Sequence, residues 1–231
     1  FTEIHRTRGW SYPPMSSRLG IFGGMFDPVH KGHVAAARFA VESLDLDLLK
    51  MVPCHKPNHR EQRQLSAQHR LKMLDLALHS ENKLAVDDCE IRRGGVSYAV
   101  DTVAEMRAGG NWDQIVFVLG ADALNGLPQW HEWRTLLQAC HLFVLGRQGQ
   151  SIDADVALEI GLEQRRVARP EQLFEADAGR IFLAEDFDVE LSSTQVREVL
   201  TKGGEAVPLL NAQVHKYISH YALYGCSTGV H

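Results

Sequence analysis

Short, unbroken apolar runs alternate along the chain with segments whose apolar residues recur at helical spacing. Leu19-Gly20-Ile21-Phe22, Leu48-Leu49-Lys50-Met51-Val52, Gln114-Ile115-Val116-Phe117-Val118-Leu119 and His141-Leu142-Phe143-Val144-Leu145 read as strands. Runs that are apolar at nearly every position, not at every second one, mark strands covered on both faces. Between them, Val34–Val41 predicts a helix, and Ser66 predicts the cap of another over Ala67–His79, with Leu71, Leu74 and Leu78 on one face. Lys83–Ile91 predicts a further strand, Ser97 the cap of a helix reaching Met106, and Trp133–Cys140 a helix. Val156–Val167 predicts one helix and Ile181–Ala184 a short strand. Ser192-Ser193-Thr194 opens a helix to Lys202, with Ser193 and Thr194 as its expected caps, stopped at Gly203-Gly204, and Pro208 predicts the start of a last helix to Tyr221. Strand–helix alternation of this kind predicts an α/β fold: an open, mainly parallel sheet with helices on both faces and a small helical C-terminal part.

At 231 residues the chain is the size of one α/β domain, and 45% hydrophobic residues suffice for its core. The reading assigns 18–225 to that domain, 1–17 to an N-terminal extension and 226–231 to a tail. Residues before Met15 read as extraneous to the fold. A net charge of −5 gives no basic surface for nucleic acid. Cys54, Cys89, Cys140 and Cys226 have no paired spacing, as expected of reduced thiols in the cytoplasm. No apolar run is long enough to span a bilayer, and residues 1–17 lack the apolar segment of a secretory signal. The composition is compatible with a homo-oligomer.

The candidate chemistry starts where the first strand meets the first helix, in Gly23-Gly24-Met25-Phe26-Asp27-Pro28-Val29-His30-Lys31-Gly32-His33. Gly23 and Gly24 allow a sharp turn and close approach of a ligand, Pro28 stiffens the loop, and Gly32 leaves room beside the first helical turn. The unpaired amides of a helix start, with two imidazoles delivered to the same spot, suit a phosphate on which negative charge grows during reaction. Zinc is a poorer reading: two histidines three apart need further ligands, and no HExxH or CxxC supplies them. The loop after Pro53, the Gly120-Ala121-Asp122 turn and the segment before Thr194 all fall at the carboxyl ends of strands, where open α/β sheets bind ligands.

These residues resemble the nucleotidylyltransferase superfamily, with its Rossmann-like sheet, and within it the bacterial nicotinate-nucleotide adenylyltransferases. The first loop is similar to the family pattern Gly-Gly-x-Phe-Asp-Pro-x-His-x-Gly-His, and Leu191-Ser192-Ser193-Thr194-Gln195-Val196-Arg197 resembles its second signature. The resemblance covers nearly all of 18–225. It implies that ATP and nicotinate mononucleotide react to deamido-NAD and pyrophosphate, by direct in-line attack of the mononucleotide phosphate on the α-phosphorus. It also implies catalytic roles for His30, His33, Lys56 and Arg197. ATP would be bound by Gly23, Gly24, Met25, Phe26, Gly32, His33, Arg147, Ser193, Thr194 and Arg197. The mononucleotide would be bound by Tyr98, Ala99, Thr102, Gly120, Asp122, Trp130 and His131, with Trp130 stacked on the pyridine ring. Mg²⁺ is expected to come with the ATP phosphates, not in a protein cage.

The chain departs from the family pattern at three positions. Met25 stands where Ser or Thr is usual, Ala99 replaces a Thr, and His131 replaces a common Tyr. The last two bear on acid-versus-amide selectivity. Enzymes acting on the amide mononucleotide or on phosphopantetheine are the alternatives within the class; the latter usually carry Thr at the position of His30. A dinucleotide-binding oxidoreductase would need Gly-x-Gly-x-x-Gly after the first strand and an acidic residue after the second, and this chain has neither.

Overall fold

The computed structural model describes residues 17–56, 65–146, 151–187 and 191–225. In chain order the elements are β1 (Arg18–Gly24), α1 (Lys31–Leu44), β2 (Leu48–Pro53), α2 (Ala67–Leu78), β3 (Leu84–Val86), α3 (Cys89–Arg93), α4 (Ala99–Gly109) and β4 (Gln114–Gly120). There follow α5 (Ala121–Asn125), α6 (Trp133–Ala139), β5 (His141–Leu145), α7 (Ala154–Glu159), α8 (Leu162–Arg165), β6 (Arg166–Val167), β7 (Ile181–Ala184), α9 (Ser193–Thr201) and α10 (Ala212–His220). The strands form one sheet in the order β3-β2-β1-β4-β5-β7-β6, with every pairing parallel.

The two faces of the sheet are buried in separate cores. In β4, Val116 and Val118 point to the side packed by α1, α2, α9 and α10, while Ile115, Phe117 and Leu119 point to the side packed by α4, α5 and α6. This period-two alternation inside an unbroken apolar run is what a strand sandwiched between helix layers requires. The fold is therefore the α/β sheet that the apolar runs predict, with α9 and α10 as its helical C-terminal part.

Four local expectations need correction. The strand expected over Lys83–Ile91 is only Leu84–Val86. Asp87 ends it, because its carboxylate accepts the Cys89 N–H at 3.0 Å and pairs with Lys50 Nζ at 2.9 Å, turning the chain into α3. Ser97 does not cap α4. The N-cap is Tyr98, and the Ser97 hydroxyl instead accepts the His55 N–H at 2.9 Å, holding the chain that leaves β2. The single helix expected over Val156–Val167 is two, α7 and α8, broken where Gly161 takes a φ of +64°, a left-handed conformation only glycine adopts freely. Arg166–Val167 then leaves as β6. The last helix starts at Ala212, not Pro208. Asn211 caps it, accepting the Gln213 N–H at 2.8 Å, while Lys31 Nζ takes the Val207 and Pro208 carbonyls at 3.2 and 2.9 Å.

Candidate active site

The strand order reverses between β1 and β4, and a parallel sheet opens a crevice at the carboxyl ends of its strands at such a point. Two adjoining cavities occupy it, sharing Phe22 and Gly120 in their walls. The larger, of about 490 Å³, is polar in its lining groups. The smaller, of about 300 Å³, is walled largely by aromatic rings.

The polar cavity is built from two helix starts. His30 is the N-cap of α1, and its Nδ1 accepts the His33 N–H at 3.3 Å, while His33 Nδ1 accepts the His30 N–H at 3.3 Å. This reciprocal box is normally made by Ser or Thr with Glu or Gln. Two imidazoles making it have a chemical consequence. With Nδ1 of each ring used as an acceptor, the proton of each neutral ring sits on Nε2, so both are set as Nε2–H donors. The rings stack with centroids 3.7 Å apart and 24° between planes, and both line the cavity. Gly32 keeps the space beside His30 clear: a Cβ there would lie 3.0 Å from His30 Nδ1 and 3.2 Å from Leu191 Cβ, tight enough to press on the ring. The tight bend of the loop falls on Phe26, at φ +49°, and not on Gly23 or Gly24, which complete β1. A phenylalanine held in the left-handed region is strained, and its buried ring, packed edge-on against Phe22 and His33, holds it there.

The second helix start is that of α9. Ser192 is its cap, boxed with Gln195. Ser193 and Thr194 are thereby relieved of the capping role expected of them. The Ser193 hydroxyl donates to the Pro28 carbonyl at 3.0 Å and Thr194 Oγ1 accepts from Arg197 Nη2 at 3.1 Å. Arg197 Nη1 also donates to the Asp27 carbonyl at 2.6 Å, so the guanidinium is fixed against the first loop. Ser193, Thr194, Arg197, His30 and His33 line the same cavity, with residues about 160 apart in sequence brought face to face. Two other side chains brace the loop. Tyr224 Oη donates to Asp27 Oδ1 at 2.5 Å, and burial pushes the Tyr224 phenol well above its usual range. Arg70, 1% exposed, donates to the carbonyls of Met25 (2.9 Å), His55 (3.3 Å) and Leu65 (3.3 Å); burial lowers its proton affinity.

In the apolar cavity Trp130 and Phe117 meet edge to face with centroids 6.1 Å apart, and the Tyr98 and His131 rings lie 4.3 Å apart at 36°. Ala99 lines it too, as do Gly23 and Gly24, two residues that the resemblance gives to ATP. Asp122, which the resemblance gives to the mononucleotide, lines the polar cavity; Met25, Phe26 and Gly32 do so as well. Thr102 is 1% exposed and stands behind the apolar wall, donating to Glu90 Oε1 at 2.6 Å. Lys56 is exposed and lines neither cavity; its contribution here is a carbonyl that accepts the Ser97 N–H at 3.0 Å. Arg147 lies outside the described residues, as do Pro57, His59, Arg60 and Arg63 of the loop after β2. Sequence reasoning missed Glu90 and Cys54, which line the apolar cavity together with Ser97. The signal available for Glu90 was an acidic residue adjoining a buried strand end.

Residues 21–199 match the cytidylyltransferase-like family. The chain belongs to that family. Among cytidylyltransferase-like relatives it is 40% identical over 211 residues to a Pseudomonas fluorescens protein named "Probable nicotinate-nucleotide adenylyltransferase", covering 91% of this chain and 98% of the relative. A Methylococcus capsulatus protein of the same name is 38% identical, covering 89% and 99%. The fold matches the solved Plasmodium falciparum nicotinic acid mononucleotide adenylyltransferase complexed with NaAD, with a TM-score of 0.69 at 17% identity, over 91% of this chain and 98% of that one. The protein is thus a nucleotidyltransferase of this family.

Proposed function

We propose that the protein joins ATP and nicotinate mononucleotide, giving deamido-NAD and pyrophosphate, as a step in NAD synthesis. One observation carries the reading: a polar cavity with two imidazoles, a guanidinium and two helix starts adjoins an aromatic one, with Phe22 and Gly120 lining both. A triphosphate in the first and a pyridine nucleotide in the second would have their phosphates meet at that shared wall. The names of the relatives support the same pair of substrates.

The mononucleotide phosphate oxygen attacks the α-phosphorus, the bond to the bridging oxygen of the β-phosphate breaks in line, and pyrophosphate leaves. The chain supplies position and charge, with no covalent intermediate. The Nε2–H group of His33 donates to the α-phosphate, where negative charge grows, and His30, its Nε2 buried, caps α1 and stacks on the His33 ring to hold it in place. Arg197 and the amides at the start of α9 hold the β- and γ-phosphates. Trp130 and Tyr98 take the pyridine ring between aromatic surfaces. Among the described residues no group of three or more His, Cys, Asp or Glu could hold a metal ion. A Mg²⁺ would come with the triphosphate and offset its charge, and the exposed Asp122 carboxylate in the lining of the polar cavity is the residue that would help hold it. No helix among the described residues is long and apolar enough to cross a membrane. ATP as substrate and the free thiols of Cys54, Cys89 and Cys140 suit the cytoplasm.

The test mixes the protein with ATP, Mg²⁺ and, separately, nicotinate mononucleotide, nicotinamide mononucleotide or phosphopantetheine, and measures pyrophosphate. Fastest release with the nicotinate form is expected. A clear preference for the amide, or for phosphopantetheine, overturns the substrate assignment.

A further inference from the structure

The apolar cavity carries one feature that ring stacking does not explain. Glu90 lines it while only 6% exposed, and it is the single carboxylate in that lining among the described residues, where Lys and Arg are absent. The same cavity is lined by the rings of Phe22, Tyr98, Phe117 and Trp130. The nearest cation on its own helix, Arg93, is engaged elsewhere, at 2.7 Å from Glu105 Oε2 and 3.0 Å from Thr102 Oγ1. Thr102 donates to Glu90 Oε1, so the buried carboxylate is fixed in orientation by a hydroxyl, while Arg93 and the buried Arg70 act on it at longer range without a direct ion pair among the described residues. Burial raises the carboxyl's proton affinity, while the Ser97 and Thr102 hydroxyls and Arg93 pull it the other way. A negative charge in a low-dielectric wall is costly alone and favourable once a cation sits opposite. Aromatic faces favour the same partner, because their π surfaces attract cations.

We propose that Glu90 is a specificity-determining residue that makes this cavity selective for a flat heteroaromatic ring bearing positive charge. The inference rests on the reading of the cavity as the mononucleotide site and deepens it: what Glu90 recognises is the cationic pyridinium nitrogen, irrespective of the exocyclic acid or amide. Thr102 is then a positioning residue that holds the carboxylate toward the ring.

Glu90→Gln keeps an oxygen able to accept from Thr102 and removes the charge, and Glu90→Asp keeps the charge on a shorter arm. Binding is measured by quenching of tryptophan fluorescence with three probes: nicotinate mononucleotide, nicotinamide mononucleotide, and the dihydronicotinamide form, whose ring is uncharged. Glu90→Gln is expected to weaken both cationic probes by of the order of tenfold, the fold-change of about 1.4 kcal/mol, and to leave the dihydro probe within about twofold. Glu90→Asp is expected to retain most of the preference for the cationic ring. Equal losses for all three probes would make Glu90 a merely structural residue and overturn the proposal. So would a loss confined to the amide, since Glu90 would then read the exocyclic group. A wild-type protein that binds none of the three overturns the functional reading itself, a result distinguishable from either of these.

Discussion

The two halves of the crevice are made in different ways. In the polar half the groups are held by the main chain. His30 and His33 cap one another's backbone, Ser192 and Gln195 do the same at α9, and Arg197 is tied to the Asp27 carbonyl. In the apolar half the groups are held by side-chain packing: Trp130 on Phe117, Tyr98 by His131, and Glu90 on Thr102. Main-chain constraints are satisfied by few residue types, whereas packing constraints admit more. Of the three departures from the family pattern, Ala99 and His131 line the apolar half, and Met25 lines the polar half, where its carbonyl accepts from Arg70.

That contrast can be broken from either side. The largest effect is expected from His33→Ala, which removes a donor that strengthens as charge develops. It should lower kcat by roughly 10²–10³-fold while mononucleotide KM changes little. Steady-state kinetics with each substrate varied would check it, and an unchanged kcat would remove His33 from the phosphate site. Trp130→Ala should do the reverse, raising KM for the mononucleotide by about tenfold through lost ring contact while the KM for ATP stays near wild type. An unchanged mononucleotide KM would return Trp130 to a packing role. The smallest effect is expected from Tyr224→Phe, which deletes a hydrogen bond to Asp27 without opening a cavity. A loss of about 1 kcal/mol in denaturant stability is expected, with a change in kcat far smaller than that of His33→Ala. A collapse of kcat in that variant would show that the polar half depends on side-chain props as much as the apolar half does.

The same contrast explains what was legible in the sequence. Buried parallel strands write themselves as continuous apolar runs, so Ile115–Leu119 and Leu142–Leu145 could be read directly. The polar half is written as short spacings, His30 to His33 and Ser193 to Arg197, because a helix start confines its partners to neighbouring positions. The apolar half has no such shorthand. Glu90 falls at the end of the strand expected over Lys83–Ile91, with no local spacing to mark it as a site residue, and only tertiary packing buries it against Thr102. Ser97 reads as a helix cap, yet the backbone of His55, 42 residues away, competes successfully for its hydroxyl. The cap at Ser192, where Ser193 and Thr194 were the expected pair, is a shift of one residue that spacing alone does not resolve.

The hydroxyl of Tyr224 on the carboxylate of Asp27 links positions 197 residues apart. A growing polypeptide emerges from its N-terminal side, so the loop carrying Asp27 leaves the ribosome long before its final brace exists. The bend that carries Asp27 therefore draws one of its braces from the far end of the polypeptide, and a chain cut before Tyr224 would keep the loop but lose that support.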